Sequence, residues 1–465
     1  MRYAIFLTII AAIGGFLFGY DTAVISGTTE DVKLFYNLND FQQGWYVGCA
    51  IFGSIIGVMM AGRLSDAFGR RPLLMTAAVM FSVSAIGCAI YTTFDQLVLY
   101  RIIGGVGIGI ASIIAPLYIS EISIPKYRGR MVACYQLAIT VGILGSYLSN
   151  AAVLKWSQAV QYESGFMKHI VNDEVWRAML GMETFPAVLF LLILFLIPES
   201  PRWQIVKQQD NKALRTLEKV YSPEKARVEI AEVRDVLSRE TKSDWRLMFK
   251  PGFRIALIVG VSLALLGQFM GVNAVFYYGP KFLLEAGLEK TASLDFQVWV
   301  GLVNVISTIL AMMVIDRIGR KKLLYIGVTG MLILLFGIGW FFHSTASGQA
   351  VSTQVLFFLI LAFVFSSAIS TSAVIFVLLS EMYPVKIRGS AMSVAGFSLW
   401  VGTYLIGQLT PLLTTELSAS GVFWLFGFMC IPYLLITRFL VPETTGKSLE
   451  DIEREWIERG KKGKK

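Results

Sequence analysis

Three charged residues, Asp21, Arg101 and Glu183, lie inside runs of apolar sequence. Asp21 stands in the segment Gly14-Gly15-Phe16-Leu17-Phe18-Gly19-Tyr20-Asp21-Thr22, within an apolar stretch from about Ala4 to Ile25. A charge at the centre of a membrane-crossing helix costs roughly 2.5–3.5 kcal/mol on insertion scales. A chain that keeps three such charges has a use for them. At a helix rise of about 1.5 Å per residue, Asp21 and Glu183 fall roughly 9 Å, and Arg101 roughly 6 Å, below the same membrane face. Charges at one level can compensate one another. The proton affinity of such a carboxylate is set by burial and by the nearby guanidinium, so a change in either changes it. The expected chemistry is reversible protonation: Asp21 takes a proton from outside, Arg101 tunes its release and Glu183 assists. The plainer alternative is an Asp21–Arg101 ion pair that only holds helices together.

A second group of polar residues is uncharged. Gln136, Gln268, Asn273 and Asn304 carry amides within otherwise apolar runs. A buried amide without partners is costly, and amides both donate and accept hydrogen bonds. Phe18, Tyr277, Phe376 and Trp400 stand in the same runs and could wall a pocket, although packing explains aromatic residues as readily.

The elements that must position these residues follow from composition. The chain has 465 residues, of which 55% are hydrophobic and only 16% charged. Average usage is about 25% charged. The apolar residues come in blocks of about 20, the length that crosses a bilayer as a helix. The fold class is an all-α polytopic membrane protein. Hydropathy predicts twelve spans, at roughly 4–27, 42–62, 73–93, 97–119, 131–153, 177–197, 253–279, 296–316, 322–342, 353–379, 389–411 and 421–441. Asp21 and the many later spans argue against a cleaved leader at the first block.

The even count puts both termini on one side. Arg63, Arg70, Arg71, Lys126, Arg128, Arg130, Arg317, Arg320, Lys321, Lys322, Lys386 and Arg388 fall on that side, and Glu30, Asp31, Asp40, Asp95, Asp173, Glu174, Glu289 and Glu416 on the other. The positive-inside rule then predicts cytoplasmic termini. The net charge of +9 reflects orientation and contact with the lipid bilayer; no nucleic-acid partner is expected. The four cysteines lie in apolar spans without metal spacing, and the two histidines are far apart. No metal and no cofactor are expected.

The chain divides as 1–197, a first six-span half; 198–252, a cytoplasmic linker with amphipathic helices; 253–441, a second half; and 442–465, a cytoplasmic tail. The halves echo each other. Gly69-Arg70-Arg71 matches Gly319-Arg320-Lys321, and Ser120-Glu121 with Arg128-Gly129 matches Ser380-Glu381 with Arg388-Gly389. Repeats of like orientation suit alternating-access transport with a substrate held at mid-depth.

These motifs resemble those of the major facilitator superfamily, and within it the sugar porter family. The resemblance covers essentially the whole chain. Gly62-Arg63-Leu64-Ser65-Asp66-Ala67-Phe68-Gly69-Arg70-Arg71 is similar to the superfamily's loop signature, with Asp316-Arg317-Ile318-Gly319-Arg320-Lys321 as its counterpart. Sugar porters add Arg128-Gly129-Arg130, Pro198-Glu199-Ser200-Pro201-Arg202, Gln268 with Gly271 and Asn273, and Pro442-Glu443-Thr444-Thr445-Gly446. The resemblance implies import of a monosaccharide with a proton, a hexose first and a pentose such as xylose close behind. It places Gln136, Gln268, Asn273, Asn304 and Trp400 on sugar-holding positions. It also implies that an aspartate at position 21 marks proton symporters among facilitative relatives.

Departures narrow this. Gly267 precedes Gln268 where many relatives have a glutamine pair. Ile143, Phe276 and Leu399 replace residues of the xylose symporters, and Ser372-Ala373-Val374-Ile375-Phe376 replaces the usual Gly-Pro and tryptophan of span 10. That loss should change how span 10 bends. On the inner face, Asp66, Arg70, Glu121, Arg128, Arg130, Asp316, Arg320, Glu381 and Arg388 are expected to form a cytoplasmic gate, latched by ion pairs between the two bundles where Glu121 and Glu381 stand near Arg128, Arg130 and Arg388 in sequence. The alternatives are a facilitative sugar or polyol uniporter and a non-transporting sugar sensor. No enzymatic constellation occurs. A monomer in a bacterial inner membrane is expected.

Overall fold

A computed structural model describes residues 2–91, 93–239, 245–384, 387–444 and 449–462. Helices dominate, and no strand occurs among the described residues. Eleven of the helices are long and apolar enough to cross a membrane. The last, Arg388–Phe439, has 52 residues, about 78 Å of helix. That is more than twice the roughly 30 Å hydrocarbon thickness of a bilayer. It breaks at Ser418, where φ is 61° and ψ 167°, and so supplies the eleventh and twelfth spans. The chain is a multi-pass helical membrane protein.

Two compact units form, one from residues 1–36 and 49–241, the other from 37–48 and 242–465. In the first, spans 2 and 4 interlock through small residues. A Cβ on Gly53 would lie 2.3 Å from the Ile102 carbonyl oxygen, and one on Gly105 2.0 Å from that of Ala50. Spans 1 and 5 meet the same way, with Gly19 against the Ile139 carbonyl and Gly142 against that of Phe16. Close backbone approach of this kind is how helices associate in lipid.

In the second unit, residues 37–48 attach through Gln408, which donates from Nε2 to the Phe41 carbonyl at 2.9 Å. Leu449–Lys462 is a helix whose Trp456 is fully buried and donates from Nε1 to the Met382 carbonyl at 3.0 Å. Much of the expected tail is therefore packed structure. The motif residues Lys386, Thr445 and Gly446 lie outside the described residues. Between the six-span groups, helices at Pro201–Val206, Asp210–Glu218 and Pro223–Arg239 occupy the predicted amphipathic segment.

The repeated motif is repeated in the backbone. Gly69 (φ 105°) and Gly319 (φ 94°) each join two long helices through a conformation that L side chains rarely adopt. Three spans are interrupted. Span 6 turns at Met182–Glu183, between Val175–Gly181 and Thr184–Leu194. Pro186 accounts for this, because its ring clashes with the carbonyl four residues earlier. Span 7 breaks at Gly271, in the left-handed region with φ 82°, between Pro251–Phe269 and Val272–Glu285. Span 10 contains a π-helical turn, Ala368–Ser372, which ends on the first residue of the altered sequence.

Candidate functional site

In the first unit, Asp21, Arg101 and Glu183 are all buried, at 1%, 3% and 3% exposure. Arg101 donates from Nη1 to Asp21 Oδ1, and the same nitrogen lies 3.5 Å from the Asp21 backbone oxygen. Glu183, in the turn of span 6, lies within coulombic reach of both. One oxygen of each acid, Asp21 Oδ2 and Glu183 Oε1, has no hydrogen-bond partner among the described residues. With two acids and one base, the fully ionised cluster carries one uncompensated negative charge. A single proton neutralises it, and burial in low dielectric favours that count.

Two neighbours of Asp21 were not legible in the sequence. A Cβ on Gly104 would lie 2.9 Å from Asp21 Oδ2 and 2.5 Å from Ser84 Oγ. The glycine therefore leaves room for both the Asp21 carboxylate oxygen and the Ser84 hydroxyl beside it. Gln136 and Phe18 belong to the same unit and are half-buried, and the Gln136 amide makes no hydrogen bond among the described residues.

The second unit holds the other amides. Gln268 and Asn273 flank the Gly271 break, and Asn273 Nδ2 donates to Gln268 Oε1 at 2.8 Å. Thr403 Oγ1 lies 3.0 Å from the same oxygen. Asn304 and Tyr277 are buried, Trp400 is half-buried and Phe376 is half exposed. Thr403 was missed because a threonine in an apolar helix ordinarily bonds back to its own backbone, which Thr403 also does.

Several of the residues expected at the inner face form hydrogen-bonded networks within each unit. Arg70 grips Glu121 through two bonds of 3.0 Å and reaches Asp66 at 3.3 Å. Such a fork is the strong form of an arginine–carboxylate pair. Glu199 accepts the backbone N–H groups of Arg70, Arg71 and Ser200. Burial nevertheless raises the Glu199 pKa from its ordinary value. In the second unit Arg320 pairs with Glu381 at 3.0 Å, and Thr444 donates to the other Glu381 oxygen at 2.6 Å. Arg388 donates to the Tyr383 carbonyl at 3.3 Å. The partner of Glu121 is thus Arg70, while Arg128 and Arg130 are largely exposed. The Asp316 side chain lies outside the described residues.

Comparison with known proteins covers nearly the whole chain. Residues 7–456 match a protein-family model described as Sugar (and other) transporter. An arabinose–proton symporter of Bacillus subtilis is 37% identical over 98% of this chain and 96% of its own length. The D-xylose–proton symporter of Escherichia coli K12 is 34% identical over 99% and 97%. A solved inward-open structure of the Escherichia coli xylose transporter XylE superimposes with a TM-score of 0.83 at 34% identity, covering 97% of this chain and 100% of that one. The chain belongs to the sugar porter family of the major facilitator superfamily, a family of transporters.

Proposed function

We propose that this protein imports a monosaccharide together with a proton by alternating access. The observation that carries the reading is the buried cluster of Asp21, Arg101 and Glu183, one proton short of neutrality. Asp21 and Glu183 hold the proton between them, and Arg101 tunes its release. Relatives named for arabinose–proton and D-xylose–proton symport support the substrate class. A galactose–proton symporter of Escherichia coli K12, 34% identical over 97% of this chain, widens it to hexoses. A hexose is the first choice here and a pentose the second, because Ile143 and Leu399 make the pocket less polar and Phe276 also departs from the residue of the xylose symporters.

Gln136, Gln268, Asn273 and Asn304 supply neutral hydrogen-bonding groups for sugar hydroxyls. Phe18, Tyr277, Phe376 and Trp400 supply apolar faces. Asp66, Arg70, Glu121, Arg128, Arg130, Asp316, Arg320, Glu381 and Arg388 form the cytoplasmic latch. Both termini are cytoplasmic, with functional boundaries at 1–197, 198–252, 253–441 and 442–465. The protein acts as a monomer in the plasma membrane. One proton moving down 100 mV supplies about 2.3 kcal/mol, enough for a roughly fifty-fold sugar gradient.

The test is uptake of labelled glucose, galactose, fructose, xylose, arabinose and inositol into proteoliposomes, with and without an inward proton gradient. Accumulation of one sugar driven by the gradient is expected. Uptake that only equilibrates would make the protein a facilitator and Asp21 a structural partner of Arg101.

A further inference from the structure

Glu183 stands in a weak joint between the two segments of span 6. Pro186 has no N–H for the Met182 carbonyl four residues earlier, which accepts from Phe185 at 3.4 Å instead. The Glu183 N–H reaches back to the Leu180 carbonyl, also at 3.4 Å, while its own carbonyl accepts from Ala187 at 3.1 Å. Bonds of 3.4 Å lie beyond the usual range. The first segment, Val175–Gly181, is therefore placed by what its side chains hold. Arg177 is the main anchor. It is buried, donates from Nη1 to the Tyr91 carbonyl at 2.5 Å and from Nε to Glu174 at 2.5 Å. Tyr91 caps the C-terminal end of span 3. The guanidinium also lies 4.8 Å from the Tyr91 ring centroid and 4.4 Å from that of Trp176, the geometry of a cation–π contact. One turn further along, a Cβ on Gly181 would lie 3.1 Å from Ala89 Cβ, at the same end of span 3. A buried guanidinium is expensive, and neither the proton site nor the sugar contacts use this one.

We propose that Arg177 is a positioning residue for the proton site: by tying the first segment of span 6 to the end of span 3, it sets where the Glu183 carboxyl stands against Asp21 and Arg101. The proposal rests on the reading of Asp21 and Glu183 as holders of the transported proton. The charges that face Glu183 are Asp21 of span 1 and Arg101 of span 4, with Tyr20 of span 1 and the Cys88 thiol of span 3 as its other titratable neighbours. Arg177 stands six residues earlier in the chain, about 9 Å of helix rise. Its own charge is paired with Glu174, which also meets His169 Nδ1 at 3.5 Å. Arg177 thus acts through the segment it anchors. A charge displaced by about an ångström at contact range changes a neighbour's titration by roughly half a pH unit.

The experiment uses the full-length protein in proteoliposomes. Infrared difference spectra follow the carbonyl stretch of the protonated carboxyl against pH, beside the pH profile of gradient-driven uptake. Glu183→Gln and Asp21→Asn assign the band; wild type, Arg177→Lys, Arg177→Gln and Gly181→Ala are then compared. Lysine keeps the charge but lacks the planar fork that spans Tyr91 and Glu174. Gly181→Ala keeps Arg177 and presses the segment away from Ala89. All three should move the band and the uptake profile by about half a pH unit or more, with the exchange KM within about twofold of wild type. A role in stability alone would lower the amount of active protein and leave both midpoints in place, and that result overturns the proposal. So does a shift in Arg177→Gln that Arg177→Lys and Gly181→Ala both lack, because charge and not place would then be acting. Gly181→Ala removes no hydrogen-bonding group, so it decides the matter if the arginine variants fail to fold. If no titrating band is lost in either Glu183→Gln or Asp21→Asn, the proton-site reading itself fails, and that outcome is distinct from the other two.

Discussion

Around Asp21, atoms a few ångströms apart carry the proposed coupling. A methyl group on Gly104 would press on both Asp21 Oδ2 and Ser84 Oγ, and overpacking of this kind costs about 1–3 kcal/mol. Gly104→Ala should therefore shift the pH dependence of gradient-driven uptake while sugar exchange persists; an unmoved pH profile would count against the assignment. Glu199 allows a pH prediction on stability. Its pKa in the folded protein lies above the ordinary value because of burial. A group raised on folding contributes stability at pH below its unfolded pKa, and that contribution is lost as pH rises through the folded one. Glu199→Gln removes this titration, so its melting temperature should vary less with pH across the acid range than that of wild type. Asp21, Arg101 and Glu183 were legible because charge in apolar sequence is conspicuous. Ser84, Gly104 and Thr403 were not, because small and hydroxylic residues in such spans look like packing. The pairing of Glu121 with Arg70 was not legible for a different reason. Arg128 is nearer to Glu121 in sequence, but the packed helix carrying Arg70 meets it in space.

Among the elements, the interrupted spans carry or adjoin residues of the proposed sites. Gly271 lets span 7 turn between Gln268 and Asn273. Its φ is positive, and a Cβ there would lie 2.2 Å from the Phe426 ring, so backbone and neighbour both exclude larger residues. Gly271→Ala should cost about 1–3 kcal/mol of backbone strain in addition to the clash. A second substitution, Phe426→Ala, should recover only the steric part. Thermal stability and exchange rate of the single and double variants measure the split, and full recovery in the double would refute the strain component. Hydropathy placed the twelve crossings because each carries its own apolar signal. It could not foresee the π-helical turn at Ala368–Ser372 or the packed helix around Trp456. Those features depend on neighbours rather than on the local run of residues.

For the whole molecule, buried charge is unevenly shared. Asp21, Arg70, Arg101, Arg177 and Glu183 are the buried charged residues among the described residues, and all belong to the first unit. The second unit holds the Gln268–Asn273–Thr403 network instead. Substitutions should sort accordingly. Asp21→Asn should abolish accumulation against a gradient and leave the exchange KM within about twofold, because it touches no sugar contact. Gln268→Ala should raise the KM and leave the pH profile in place. Transport and exchange assays on the two variants check this, and a large KM change in Asp21→Asn would mean that the tasks are not divided. The division also bears on how such a protein diversifies. Mutations in the second unit can try new sugars while the energy supply is inherited intact, and loss of one carboxylate in the first can turn a pump into a passive carrier without altering its diet.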